Sequence, residues 1–164
     1  MAANPPGAAT GSPVSIVVRS PGHKVQAKRK RYAMTKHILI VDDNEDNRQL
    51  LFFALKTGNY ELYQAEMGSE VADVIAEKPI DLALLDVELP DANGIELAQR
   101  LRKQNPNIGL IMLSANDDAE RLERARSIGA NAYVVKPFNL SQVLQFIKDF
   151  EARVIPPDAD MQVF

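Results

Sequence analysis

Short apolar runs alternate with segments of helical periodicity from residue 37 onward. The runs are rich in β-branched residues or wholly apolar, which is typical of strands in a parallel sheet covered on both faces. The five predicted strands are Ile38–Val41, Tyr60–Ala65, Leu82–Leu85, Ile108–Leu113 and Ala132–Val135. Helices are predicted over residues 45–57, 69–78, 95–104, 118–128 and 140–154. This strict alternation predicts an α/β fold with helices on both faces of one parallel sheet.

Several helix starts are also marked in the sequence. Ser69 is a candidate N-cap of the second helix, and Asp117 with Glu120 has the capping-box spacing before the fourth. Asn139 begins the same spacing before the fifth helix. The buried stripe of that helix is predicted as Leu140, Val143, Leu144, Ile147 and Phe150. Phe146 lies off this stripe, so we expect its side chain to be exposed.

The segments on either side of this pattern have a different composition. Residues 1–36 contain four prolines, three glycines and seven Lys or Arg without one acidic residue, which predicts a disordered basic tail. Its cluster at 28–31 could contact an anionic surface, although a solvated tail is the simpler interpretation. Met34 is a candidate natural start. We therefore place the folded domain at 37–154 and predict a flexible C-terminal tail over 155–164.

Composition excludes several classes of function. The chain has 164 residues and no cysteine, which excludes thiol catalysis, iron–sulfur clusters and Cys-ligated zinc. Residues 37–164 carry 12 basic and 22 acidic residues, a net charge of −10 that argues against direct nucleic-acid binding by the folded domain. No apolar run approaches the roughly 20 residues of a membrane span. These features, with no secretory signal at the amino terminus, favour a cytoplasmic protein.

Polar residues stand where four of the predicted strands end. Asp42 and Asp43 follow the first strand, Asp86 the third, Ser114 the fourth and Lys136 the fifth. The carboxyl ends of parallel strands lie at one edge of the sheet, so these groups should converge there. Three close carboxylates repel one another unless a hard cation such as Mg²⁺ binds between them. A cation, an ammonium and a hydroxyl suit phosphoryl transfer, and the simplest nucleophile is one of the carboxylates, which would form an aspartyl phosphate.

In these motifs the chain resembles the CheY-like receiver domains of two-component response regulators. The matching segments are Ile38–Asp43, Leu84–Pro90 with Gly94, Leu113–Ala115 and Tyr133–Pro137. Departures from the family pattern are mild: Leu89 replaces a common Met, Asn93 a common Asp and Ser114 a frequent Thr. The resemblance implies a flavodoxin-like, doubly wound (βα)5 fold whose five-stranded parallel sheet has the order 2-1-3-4-5.

The resemblance also implies a metal site and an acceptor. Asp86 is then the phosphoacceptor. Asp43 binds Mg²⁺ (or Mn²⁺) directly, Asp42 acts mainly through water, and Asp86 and the backbone carbonyl of Glu88 supply further oxygens. Lys136 pairs with Asp86 and afterwards with the phosphoryl group.

The resemblance implies that a second set of residues responds to the phosphoryl group and controls its hydrolysis. Ser114 donates to a phosphoryl oxygen, and Tyr133 is an aromatic switch that turns inward. The peptide bond before Pro137 is expected to be cis. The side chains of Glu88 and Asn116 flank the phosphoryl position and modulate its hydrolysis.

The function implied is that of a stand-alone response regulator receiver. It accepts a phosphoryl group from a histidine kinase or histidine phosphotransfer protein, and it catalyses only its own phosphorylation and dephosphorylation. It then signals in trans to a protein effector through the fourth helix, fifth strand and fifth helix, or relays the group onward; a phosphorylation-dependent homodimer is a further candidate assembly. Alternatives are a phosphorylation-independent binding module, a receiver fragment of a larger hybrid kinase or regulator, and a phosphohydrolase-like enzyme.

Overall fold

The computed structural model describes residues 36–152 and 159–164. The strands are β1 (Lys36–Val41), β2 (Tyr60–Ala65), β3 (Leu82–Asp86), β4 (Gly109–Ser114), β5 (Ala132–Val135) and β6 (Gln162–Val163). The helices are α1 (Glu45–Leu55), α2 (Gly68–Glu77), α3 (Gly94–Gln104), α4 (Ala119–Ser127) and α5 (Leu140–Glu151). The basic segment and Met34 lie outside the described residues, except that Lys36, assigned to that segment, begins β1.

The strands form one parallel sheet in the order β2-β1-β3-β4-β5-β6. The order of the first five strands confirms the prediction, and the sixth is an addition to it. Side chains of successive residues along β1 point to opposite faces of the sheet. Leu39 and Val41 join a core cluster built with α2, α3 and α4, whereas Ile38 and Ile40 join a cluster built with α1 and α5. The sheet is therefore covered on both faces, as the continuous apolar strands predicted.

Two predicted caps are wrong. The N-cap of α4 is Asp118, whose carboxylate accepts from the backbone N–H of Arg121 at 3.0 Å, rather than Asp117. Helix α2 begins at Gly68, and the N–H groups of Gly68 and Ser69 donate to Asp91 at 2.7 and 2.9 Å. Asp91 lies more than 20 residues along the chain, so two orphan donors of this helix are satisfied through tertiary structure, while Glu70 accepts locally from the Met67 N–H at 3.3 Å.

The last residues of the predicted flexible C-terminal tail form a strand in the structure. The segment around β6 pairs in parallel with β5: Gln162 N–H donates to the Asn131 carbonyl, Phe164 N–H to that of Tyr133, and Val135 N–H to that of Phe164, at 3.1, 3.1 and 2.8 Å. Without this segment β5 would be an edge strand with unpaired N–H and C=O groups. Pairing with this segment satisfies donors and acceptors along that edge of β5. Residues 153–158 of the predicted tail and domain end lie outside the described residues.

Phe146 is buried, which corrects the expectation of an exposed side chain. Its ring lies 6.2 Å from that of Phe150 and 5.9 Å from that of Phe164, centroid to centroid. Periodicity within α5 could not predict this, because one of the two covering rings comes from the segment that docks on β5.

Phe164→Ala is expected to lower the free energy of unfolding by about 1 kcal/mol, because it removes apolar contact area from Phe146. Val163→Ala, at an exposed position of the same strand, is the matched control and should have a smaller effect. Urea unfolding of both variants measures the difference. Equal destabilisation would show that backbone pairing, and not the Phe164 ring, holds the segment.

Candidate functional site

The polar residues at the strand ends converge at one edge of the sheet. Asp42 follows β1, Asp86 and Ser114 are the last residues of β3 and β4, and Lys136 follows β5. Backbone register aligns them: Asp86 pairs with Leu113 in β4, and Ser114 with Val135 in β5. The convergence expected from the sequence is therefore present.

Three carboxylates lie close together at this edge. Oxygens of Asp42, Asp43 and Asp86 all lie within 4.8 Å of one another; the first and third residues are buried and Asp43 is exposed. The ammonium of Lys136 lies 2.6 Å from Asp86 Oδ2 and 2.9 Å from Asp42 Oδ2. One ammonium facing three carboxylates leaves an excess of negative charge on oxygen ligands. This donor set fits a hard divalent cation such as Mg²⁺, which would be held by the three carboxylates. The backbone carbonyl of Glu88 stays a predicted further ligand.

Local hydrogen bonds orient the two buried carboxylates. Asp42 Oδ1 accepts from the backbone N–H of Asn44, and Asp86 Oδ1 from that of Glu88, both at 2.9 Å. Their Oδ2 atoms are thereby turned toward Lys136. The peptide bond that follows this lysine, to Pro137, is cis.

The electrostatic balance of the site differs between Asp86 and Lys136. Burial raises the pKa of Asp86 to about 6, because the hydrogen bonds from Lys136 and Glu88 N–H offset the loss of hydration only in part and Asp42 adds a like charge. Burial would lower the pKa of Lys136, but its contacts with Asp86 and Asp42 raise it above the ordinary value. The lysine is therefore a fixed cation, whereas ionised Asp86 is under strain that a bound cation would relieve.

The pKa of Asp86 predicts how stability depends on pH. The folded value of about 6 lies above the ordinary 3.8, so the folded state binds this proton more tightly than the unfolded chain. The stabilisation is complete below about pH 4 and is lost as pH rises through about 6. Urea unfolding of metal-free protein at several pH values should show this slope. Asp86→Asn should flatten it, whereas Asp73→Asn, at an exposed position of α2, should preserve it; an unchanged slope in Asp86→Asn would contradict the assignment.

A second cluster surrounds the side chain of Glu88. Its Oε1 accepts from Ser114 Oγ at 2.9 Å, Asn116 Nδ2 at 3.1 Å and Arg121 Nη1 at 2.7 Å. Its Oε2 lies 3.4 Å from the backbone N of Ala115, which donates to it. Burial alone would raise the pKa of Glu88, but these donors hold it below its ordinary value. Glu88 is thus an ionised carboxylate directly beside the hydroxyl at the end of β4.

Arg121 was not predicted from the sequence. It lies in the first turn of α4, and its Nη1 makes a 2.7 Å ion pair with Glu88. The sequence does indicate that the first turn of α4 lies near the site, because the helix after β4 starts at the same edge of the sheet where the strands end. The sequence does not, however, indicate which side chain of that turn faces the carboxylate.

Tyr133 lies inward. Its side chain is fully buried among the residues of the α2–α4 face, and its hydroxyl donates to the backbone carbonyl of Asn116 at 2.6 Å. Burial raises the pKa of this phenol above its ordinary value. Tyr133 is therefore in contact with the loop that follows Ser114, and its role as a switch stays a prediction.

Gly94 sits directly against the backbone of Asp86. A Cβ atom at this position would overlap the carbonyl oxygen of Asp86 and would lie 2.9 Å from the Cα of Val87. The Gly94 N–H donates to the Val87 carbonyl at 2.9 Å. The start of α3 therefore supports the end of β3, and only glycine allows so close an approach.

None of the described helices has the length and hydropathy of a membrane span.

A family model described as the response regulator receiver domain matches residues 38–148. The chain is similar to the phosphate regulon transcriptional regulatory protein PhoB of Pseudomonas aeruginosa, with 35% identity over 130 residues that cover 78% of this chain and 57% of that protein. It is also similar to sporulation initiation phosphotransferase F of Bacillus subtilis, with 30% identity over 71% of this chain and 94% of that protein.

Among solved structures, a CheY-like response regulator receiver domain protein from Methanospirillum hungatei aligns with a TM-score of 0.69 and 32% identity. The alignment covers 73% of this chain and 95% of that structure. The chain therefore spans nearly all of some relatives and only about half of others.

Proposed function

Because this chain belongs to the response regulator receiver domain family, we propose that Asp86 accepts a phosphoryl group from a histidine kinase or a histidine phosphotransfer protein. The observation that carries this proposal is the Asp86 carboxylate itself. It lies at a strand end, 2.6 Å from the Lys136 ammonium and within 4.8 Å of two further carboxylates. The presence of all the charged and polar residues at the strand ends also argues against a phosphorylation-independent binding module, since such a module does not need clustered charges.

In the proposed reaction an ionised oxygen of Asp86 attacks phosphorus. A phosphorus–oxygen bond forms, and the bond from phosphorus to the imidazole nitrogen of the donor breaks and leaves its electron pair on that nitrogen. Lys136 neutralises negative charge as the phosphoryl group arrives. Mg²⁺, when held by Asp42, Asp43 and Asp86, supplies further neutralisation of phosphoryl oxygens. The chain itself contributes positioning and charge, and it acts on no separate substrate.

The signal is proposed to leave through α4, β5 and α5, toward a protein effector. Residues 161–164 belong to this face: Met161 contacts the core cluster on the α4 side, and Phe164 the cluster on the α5 side. A partner, including a second copy in a phosphorylation-dependent homodimer, would therefore meet β6 before it meets β5. We expect this exchange to take place in the cytoplasm.

Onward relay is the second candidate function. It is favoured by one comparison, because the chain spans 94% of a relative whose name describes a phosphotransferase. The PhoB relative, of which the chain spans 57%, carries the name of a transcriptional regulator and favours a different output. Incubation of the phosphorylated protein with a histidine phosphotransfer protein separates the two: transfer of the label supports relay, and retention on this chain supports signalling through the face above.

The experiment that tests the proposal uses a small acyl phosphate as donor. The protein should gain the mass of one phosphoryl group in Mg²⁺ and lose this reactivity in excess chelator. Peptide mapping should place the label on Asp86. If neither the acyl phosphate nor a panel of histidine kinases labels the protein, phosphorylation is excluded, and the binding-module interpretation takes its place.

A further inference from the structure

The carboxylate of Glu88 accepts hydrogen bonds from two donors that lie close to Asp86, the proposed phosphoacceptor. It receives the Ser114 hydroxyl at 2.9 Å and, more weakly, the Ala115 N–H at 3.4 Å. Both donors lie at the end of β4, next in the sheet to the strand that ends in Asp86. We propose that Glu88 is an internal stand-in for the phosphoryl group, displaced when Asp86 is modified. This inference rests on the proposed function. It adds that the phosphoryl group and Glu88 compete for the same hydrogen-bond donors.

The competition follows from counting protons. A serine hydroxyl has one proton to donate, and that of Ser114 is directed to Glu88 Oε1. The oxygen of the same hydroxyl accepts the Asn116 N–H at 3.1 Å, so its orientation is set from both sides. Ser114 can donate to a phosphoryl oxygen only after its bond to Glu88 breaks. The stand-in therefore lowers the affinity of the site for a phosphoryl group.

Charge acts in the same direction. An ionised Glu88 beside a phosphoryl group of nearly two negative charges is repelled. In the unmodified protein the carboxylate is held by Arg121, 2.7 Å away, and Arg121 also lies 3.4 Å from Asp118 Oδ2. Asp118 is the N-cap of α4. Displacement of Glu88 therefore breaks an ion pair to the first turn of that helix, which gives a direct physical route from the acceptor to the proposed signalling face.

The same carboxylate is also connected to the inward tyrosine. Asn116 donates its side-chain amide to Glu88, and its backbone carbonyl accepts the hydroxyl of Tyr133 at 2.6 Å. Loss of the Glu88 contact removes one constraint on Asn116, and so on the loop against which Tyr133 rests. Helix α4 and Tyr133 are thus both biased by a single displaced group.

The test titrates beryllofluoride, a phosphoryl mimic, in Mg²⁺ and follows the backbone amide resonance of Ala115. Glu88→Ala should bind the mimic about tenfold more tightly than the parent, because no hydrogen bond to a charged group has to break first. In a Ser114→Ala background the same substitution should give a clearly smaller gain, because only the charge repulsion is then relieved and no Ser114 hydrogen bond has to break. An equal gain in both backgrounds would assign the effect to charge alone and would overturn the proposal, as would the absence of any gain.

A second pair of variants tests the link to α4. Arg121→Ala should tighten binding of beryllofluoride while Glu88 is present and should not do so in Glu88→Ala. Arg124→Ala, which removes the same charge from the same helix but pairs with Glu96 at 4.0 Å, is the matched control and should have no effect. Weaker binding in Arg121→Ala in both backgrounds would overturn the link. The parent is titrated first: failure to bind the mimic there would refute the proposed function, and this inference with it.

Discussion

Asp86→Asn is expected to reduce phosphoryl incorporation by at least about 100-fold, the scale of losing a nucleophile. The amide has nearly the same shape as the carboxylate but offers no anionic oxygen to attack phosphorus. Asp42 and Asp43 are close by, and Lys136 contacts Asp42 at 2.9 Å as well as Asp86 at 2.6 Å, so this variant is the test that separates Asp86 from its neighbours. Mass spectrometry after incubation with an acyl phosphate and Mg²⁺ measures the loss.

Two control measurements make this result interpretable. Asp73→Asn, at an exposed position of α2, should label like the parent. Asp86→Asn should also remain folded, since it replaces a strained buried charge with a neutral group of equal size; its Tm at neutral pH should be no lower than that of the parent. Full labelling of a folded Asp86→Asn protein would show that a different side chain is the acceptor.

Gly94→Ala is expected to have the largest effect on stability, a loss of more than about 3 kcal/mol. The added methyl group would overlap the Asp86 carbonyl, and neither that backbone nor the start of α3 can move without breaking the Gly94 to Val87 hydrogen bond. A fall in Tm on the order of 10 °C follows for a domain of this size. Thermal unfolding monitored by circular dichroism measures it.

Gly58→Ala is the matched control for this substitution. The atoms that its added methyl group would meet belong to the side chain of Tyr60, so the overlap is relieved by moving one ring and its hydrogen bond to Glu151, without moving the backbone. Its fall in Tm should be less than half that of Gly94→Ala. If the two variants lose equal stability, backbone overlap at Gly94 is not the reason for the loss. Phosphorylation of any folded Gly94→Ala protein should also be slower, because the residue supports the end of β3.

Sequence patterns were sufficient for the architecture because they are local. The apolar run of β3 and the alternation of strands and helices each depend on nearby residues, and the order of the first five strands followed from the resemblance. The convergence of Asp42, Asp86, Ser114 and Lys136 was equally accessible, since parallel strands end at one edge of the sheet. The positions of residues at strand ends can be predicted without knowing any side-chain contact.

The α4 cap was misplaced by a single residue, but two other errors arose because the partner of a group lies far along the chain. Ser69 has the residue type of a local cap, but its own N–H and that of Gly68 donate to Asp91. Phe146 fell off the apolar stripe of α5, but Phe164 helps to cover it. In both cases the deciding contact joins residues that are 18 or more positions apart, and periodicity within one element cannot detect it.

By itself, the sequence determined the α/β class, the parallel sheet and the residues at its functional edge, because strand periodicity and strand-end chemistry are written in consecutive residues. Only the tertiary structure decided that residues 162–163 extend the sheet beside β5 and that Glu88 holds Ser114 and Arg121 together. The physical reason is that edge pairing and ion pairs depend on distances across elements. The chain acquires those distances only when the elements pack.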